Sequence, residues 1–266
     1  MNKKNPLIIT ALIMLILLTA TGTYTNRHKN QIKGAKTENI NTKEIRGIIL
    51  PHHNFAKEII MKSYEKLKAE SYDIIVLMGP NHFYPETTNL IIPDSKSFAS
   101  ISEENLQYIL DNVPNVIVDS DIVLKEHSIT TQITYINQYF PGAKILPVII
   151  PEKNCDKDTN LLVDILSKLP NRALYIASVD FAHDIKYIEA LENNEESILA
   201  IRSFNLPIIE TFDNKHMDSP KSIVILLKIM QKIGSTNFEL LYNTHQAIIA
   251  NSPDLIGTGY VIGVFR

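Results

Sequence analysis

Three short apolar runs, each ending a few residues before a histidine, constrain this chain more than any other feature. Gly47-Ile48-Ile49-Leu50 leads into Pro51-His52-His53-Asn54, and Ile74-Ile75-Val76-Leu77-Met78 leads into Gly79-Pro80-Asn81-His82. The third run, Leu174-Tyr175-Ile176-Ala177-Ser178, leads into Val179-Asp180-Phe181-Ala182-His183. Continuous β-branched runs bounded by turn residues fit strands buried on both faces. Helical spacing fills the stretches between them, so the expected fold is α/β, three-layered, with a largely parallel central sheet and helices on both faces. Parallel strands align their C-terminal ends along one edge, where open α/β sheets bind ligands. Histidines distant in sequence then meet at one rim, a pattern that points to a metal.

A chain of 266 residues can bury a full core, and 45% hydrophobic with 21% charged residues is ordinary for a globular protein. The formal net charge of −3 gives no bulk attraction for nucleic acid. Cys155 is the only cysteine, which excludes an intramolecular disulfide and any zinc site built on a pair or a quartet of cysteines. Metal ligands must therefore be nitrogen and oxygen atoms, or this one thiol.

At the N-terminus, Lys3 and Lys4 precede an apolar run from Pro6 to about Ala20. Residues 1–23 thus read as a signal peptide or a membrane anchor, the run being short beside the roughly 20 residues of a membrane span. Either reading places the following domain outside the cytoplasm, exported or membrane-anchored, with membrane contact only through this segment. Residues 24–44 are polar, without apolar period, and read as a linker. Residues 45–266 are expected to form one α/β domain.

Within it, Phe55, Ile59, Ile60, Tyr64 and Leu67 recur at helical spacing, with Asn54 as N-cap. Further helices are expected at about Glu103–Asn112 behind Ser102, from Glu126-His127-Ser128 onward, at about Thr159–Leu169, Tyr187–Phe204 and Ser219–Ile233. Pro220 and Gly234 mark the start and stop of the last. Lys144–Ile150 reads as a strand that Pro147 should push to an edge or a bulge. Gly257–Phe265 reads as a closing strand.

Each candidate site residue has a plainer alternative. Neighbouring side chains on an extended segment point opposite ways, so only one of His52 and His53 can face the site. His82 could simply end a strand. Asp180 and His183 could be a carboxylate fixing an imidazole, or a loop hydrogen bond. His127 could be a general acid/base or a surface histidine. Asp218 could complete a two-histidine, one-carboxylate ligand set suited to non-haem Fe(II), or merely favour a helix N-terminus. His245 and His28 read as structural or solvated. No nucleophile elbow, P-loop or dinucleotide fingerprint is present.

Taken together, Pro51-His52, Gly79-Pro80-Asn81-His82, Glu126-His127-Ser128-Ile129, Asp180-Phe181-Ala182-His183 and the stretch from Asp218 to Leu227 resemble the Memo family, which includes the AmmeMemoRadiSam system protein B of bacteria. The resemblance implies a fold like the class III extradiol dioxygenases. It also implies a metal pocket in which two histidines and a cysteine bind iron or copper. The histidines match His52 and His82; the cysteine position falls on Asp218, a harder ligand less suited to copper(I). His183 matches the catalytic base of the dioxygenases, with Asp180 orienting it. Phe83 stands where a second histidine is usual, and His53-Asn54-Phe55 where Ala-Gly-Tyr is usual, so no substrate carries over.

These readings make the chain a Memo-like metal-binding protein, with Fe(II) on His52, His82 and Asp218 and with His183, Asp180 and His127 as catalytic candidates. The implied chemistry is that of a non-haem iron oxidoreductase. Two alternatives use the same pocket: a non-enzymatic protein binding a small molecule or peptide, and a zinc hydrolase. Copper is the third metal to consider. A functional link to radical SAM system proteins follows from the resemblance alone.

Overall fold

The structure, a computed structural model, describes residues 44–153, 156–170 and 172–266. The signal or anchor segment, nearly all of the linker, and Cys155 lie outside the described residues. No helix among the described residues is long and apolar enough to cross a membrane.

The apolar runs form the middle of the sheet. Strands β1 (Gly47–Leu50), β2 (Ile74–Pro80), β5 (Lys144–Ile150) and β6 (Ala173–Ser178) pair in the order β5-β2-β6-β1, all parallel. The flanks depart from that expectation. Strands β3 (Leu90–Ile92) and β9 (Ile256–Phe265) join antiparallel to β5 and β1, and β7 (Phe181–Lys186) and β8 (Phe238–His245) pair antiparallel with β9. Strand β4 (Val116–Val118) closes the other edge, parallel to β3. The sheet is therefore mostly parallel, as expected, with antiparallel strands added at its flanks. The physical reason is connection length: β8 and β9 are joined through one short helix, which lets the chain turn back on itself.

Both faces of the sheet are covered, because strand residues alternate between two cores. Ile48, Leu50, Ile75, Leu77, Leu174 and Ile176 pack against α1 (Lys57–Leu67), α3 (Ser120–Lys125) and α4 (His127–Tyr139). Ile49, Val76, Met78, Tyr175 and Ala177 face the opposite core. There lie α2 (Glu103–Asn112), α5 (Asp156–Leu166), α6 (Tyr187–Arg202) and α8 (Pro220–Ile233). Two single-turn helices, α7 (Leu206–Ile209) and α9 (Gln246–Ile249), complete the set.

Helix ends follow the sequence signals at α8, where Ser219 Oγ accepts the N–H of Ser222 (3.3 Å) and Gly234 takes φ +75° beyond the last turn. They do not at α1. Residues Asn54–Ala56 form a 3-10 turn, Asn54 caps nothing through its side chain, and Phe55 is 47% exposed rather than on the core face. Ser102 likewise accepts from the Asn105 side chain (2.7 Å) instead of capping α2.

Pro147 corrects a further expectation, for β5 is interior and in unbroken register with β2. Its outer side is bridged only at Ile145, to Ile101, and at Ile149, to Ile91. Pro147 falls between those bridges, where a missing N–H leaves no acceptor wanting.

Candidate metal centre

The register of the parallel strands builds the site. Leu50 pairs with Ser178, so the residues two places beyond, His52 and Asp180, lie side by side at the strand ends. Asp180 Oδ1 accepts the backbone N–H groups of His52 (3.0 Å) and His53 (3.4 Å), and its Oδ2 lies 3.5 Å from His52 Nε2. Alternation then separates the two histidines. His52 turns into the site, 2% exposed, while His53 Nδ1 pairs with the Tyr260 hydroxyl at 2.8 Å.

Strand β2 delivers His82 through Gly79-Pro80-Asn81. A Cβ on Gly79 would lie 2.5 Å from Ser128 Oγ, so the close approach of this strand end to α4 needs glycine. Asn81 clamps the turn, accepting the Tyr84 N–H and donating to the Tyr84 carbonyl, both at 2.9 Å. His82 Nδ1 then meets Glu126 Oε1 at 2.7 Å, and Glu126 Oε2 accepts the backbone N–H of His82 at 2.9 Å.

His183 arrives by an irregularity. Phe181 pairs with Gly259 and Ile185 with Gly257, so a bulge carries the residues between, with Ala182 and Asp184 at φ 35° and 55°. The segment before α8 straps the bulge: His216 and Asn214 carbonyls accept from Ala182 N (2.9 Å) and His183 N (2.8 Å). The same strap brings Asp218 in, its N–H donating to the Asp180 carbonyl at 3.1 Å.

These elements converge on one oxygen. Asp218 Oδ2 lies 3.2 Å from His52 Nε2, 3.7 Å from His82 Nε2 and 3.7 Å from His183 Nε2. His52 Nε2, His183 Nε2 and both Asp218 oxygens are buried without a hydrogen-bond partner. His127 stacks on His82 with ring centroids 4.3 Å apart and stands edge-on to His52 at 5.0 Å. Two overlapping groups thus have metal-binding spacing: His52, His82 and His127, and His52, Asp180 and Asp218.

The electrostatics follow from three buried carboxylates facing imidazoles. Burial pushes His52 down, but the Asp180 and Asp218 charges outweigh it and leave His52 raised. Burial opposes His82 as well, yet the nearby Asp218 carboxylate and the hydrogen bond to Glu126 lift it to about 10. His183 is raised against its burial, chiefly by Asp218. Burial would lift Asp218, but the charge of His52 and the close approach of the His183, His52 and His82 rings hold it well below the usual carboxylate range. His127 alone goes down, through burial and then the neighbouring His52 and His82. A cleft of about 780 Å³ opens onto His82, His183 and Asp218 between Pro80, Ile150 and the Phe212–Met217 strap, a volume suited to a small molecule.

All six of the singled-out residues, His52, His82, His127, Asp180, His183 and Asp218, therefore gather at one end of the sheet. His245 does not: it is buried and caps α9 by accepting the Ala247 N–H at 3.1 Å. His216 stacks on Phe212 at 4.3 Å and pairs with Glu196. Glu126, fully buried, was legible only as part of a helix start; its role against His82 needs the structure.

A parallel-centred α/β sheet with histidines and carboxylates collected at its strand ends defines a candidate metal-binding α/β protein. The chain belongs to the Memo-like protein family, whose pattern it matches over residues 21–259. It is 25% identical over 244 residues to a MEMO1 family protein of Aquifex aeolicus (strain VF5), covering 80% of this chain and 62% of that protein. A MEMO1 family protein of Methanosarcina acetivorans is 28% identical over 232 residues, covering 82% of this chain and 83% of its own length. The chain thus spans less than two thirds of the Aquifex relative. Among solved structures, the uncharacterized protein JW3007 of Escherichia coli K12 superposes with a TM-score of 0.55 at 10% identity, over 84% of this chain and all of the other. That likeness concerns the fold alone.

Proposed function

We propose that this protein binds one first-row divalent ion, Fe(II) foremost, through His52, His82 and Asp218, and acts as a non-haem iron oxidoreductase related in fold to the class III extradiol dioxygenases. One observation carries the reading: three Nε2 atoms approach a single carboxylate oxygen, and the unpartnered buried atoms among them all point to one place. Such atoms cost free energy unless something satisfies them, and the donor set, two imidazoles and a carboxylate, suits Fe(II). An ion there would supply a Lewis acid and, if iron, a one-electron couple.

The chain's own residues do the rest. Glu126 fixes the His82 ring with its Nε2 inward. Asp180 fixes the His52 backbone. His183, on the cleft and not needed for the ligand set, holds a proton at Nε2 for transfer to or from a molecule in the cleft.

Zinc is the second reading, favoured by the spacing of His52, His82 and His127, three imidazoles of the kind found in catalytic zinc sites. Metal analysis of the full chain purified without oxygen, beside His52→Ala, His82→Ala and Asp218→Ala, separates the cases. Near-stoichiometric iron lost in all three variants supports the oxidoreductase, and zinc lost in the same way supports hydrolysis. Failure to take up iron, zinc or copper sinks both and leaves a ligand-binding pocket.

A further inference from the structure

Helix α4 lies across the ends of two strands, and two of its side chains one turn apart perform the same task. Ser128 Oγ donates to the Pro80 carbonyl at 3.2 Å, and Gln132 Nε2 donates to the Pro51 carbonyl at 2.8 Å. Pro51 immediately precedes His52, and Pro80 lies two residues before His82. Positions i and i+4 share a helix face, so one rigid element reaches both strand ends.

Gln132 does more than hold a carbonyl. Its Nε2 also reaches Ser178 Oγ at 3.4 Å, and Ser178 Oγ lies 3.3 Å from His52 Nδ1. Its Oε1 accepts the Tyr64 hydroxyl at 2.9 Å, which fixes the amide's orientation. Gln132, Ser178 and Tyr64 are all fully buried, where a wrong pairing has no water to relieve it. Ser178 Oγ, held by the Gln132 amide, meets His52 Nδ1 in turn, so that ring nitrogen is engaged inside the fold. Nε2 of His52 is then the nitrogen that faces Asp218. Nothing in the local sequence of His52 would achieve this.

We propose that Gln132 is a positioning residue of the metal centre: acting from α4 through Pro51 and Ser178, it sets both the place of His52 and which ring nitrogen faces the ion. The inference rests on the metal-centre reading for its consequence, but the hydrogen-bond state of His52 can be read without any metal.

The test compares the full-chain protein with Gln132→Met, which removes both donors at similar volume, and with Gln132→Glu, which keeps an acceptor for Tyr64 and loses the donors. Tyr64→Phe serves as a control that touches only the far end. In the metal-free wild type, nitrogen-15 NMR should show a solvent-protected hydrogen bond at His52 Nδ1. Both Gln132 variants should lose it while circular dichroism stays native, and Tyr64→Phe should keep it. Affinity for Zn(II) and Fe(II), measured by competition with a chelator, should fall about 10- to 100-fold in the Gln132 variants, the range for losing a partner of a metal-bound histidine. A protected hydrogen bond at His52 Nδ1 that persists in either folded Gln132 variant, or metal affinity unchanged there, overturns the proposal. If Gln132→Met does not fold, Gln132→Glu decides. If the wild type binds no metal, the metal-centre reading has failed, and the NMR signal alone judges the role of Gln132.

Discussion

Glu126 Oε1 sits 2.7 Å from His82 Nδ1 while its Oε2 takes the backbone N–H of the same residue at 2.9 Å. One carboxylate thus grips a histidine at ring and main chain together, and burial keeps the grip undiluted by water. Glu126→Gln keeps the volume and removes the charge. It should weaken metal binding about 10- to 100-fold, as losses of carboxylate partners to metal-bound histidines do. Chelator competition on the purified variant measures this directly.

Metal uptake should release protons. In the metal-free protein His82 holds its proton up to about 10, and His52 and His183 are also raised, while a metal needs neutral imidazoles. Affinity should therefore keep rising as pH rises from 6 toward 10, whereas a site whose histidines are already neutral at pH 7 would level off there. Titration in buffers of different ionisation enthalpy counts the protons expelled.

Asp218 stands where the family resemblance places a cysteine. Asp218→Cys should soften the centre, raising affinity for copper(I) and lowering it for Fe(II). Parallel loading of the two forms under anaerobic conditions, with metals counted by mass spectrometry, gives the ratio.

Gly79→Ala should destabilise the fold by about 1–3 kcal/mol, as overpacking does, because the new methyl would meet Ser128 Oγ and Cβ at 2.5 and 2.8 Å. Combined with Ser128→Gly, the clash should vanish, leaving only that substitution's own cost from the lost bond to the Pro80 carbonyl and a helical glycine. A double-mutant cycle in urea reads the coupling, and additive effects would deny the contact.

Much of this architecture was written in the sequence in readable form. The runs at Ile48, Ile75 and Leu174 are buried on both faces, so nothing interrupts their apolar character, and their C-terminal ends announce the site. Segments that the site bends were not readable. Strand β7 carries Ala182 and Asp184 in left-handed conformations, and β8 slips register between Leu240 and Tyr242, so neither keeps a clean alternation. Glu126 hid for another reason. A carboxylate before a helix reads as an N-cap, and it is one, accepting Ser128 N at 3.1 Å with the oxygen that also meets His82. Gln132 hid because a buried amide in an amphipathic helix has no local signature at all. Its partners are 46 to 81 residues away.

The bulge in β7 gives the centre one member placed off the strand ladder. His52 and His82 are fixed to strand register, so moving either means shifting β1 or β2 through the core. His183 instead hangs on a loop of backbone between Phe181 and Ile185, each of which is anchored to β9 on its own. Between those anchors the backbone is tied to the strap before α8, through Ala182 and His183, and not to β9. The reach of this imidazole into the cleft is thus set by the bulge and its strap, and not by the strand register that places His52.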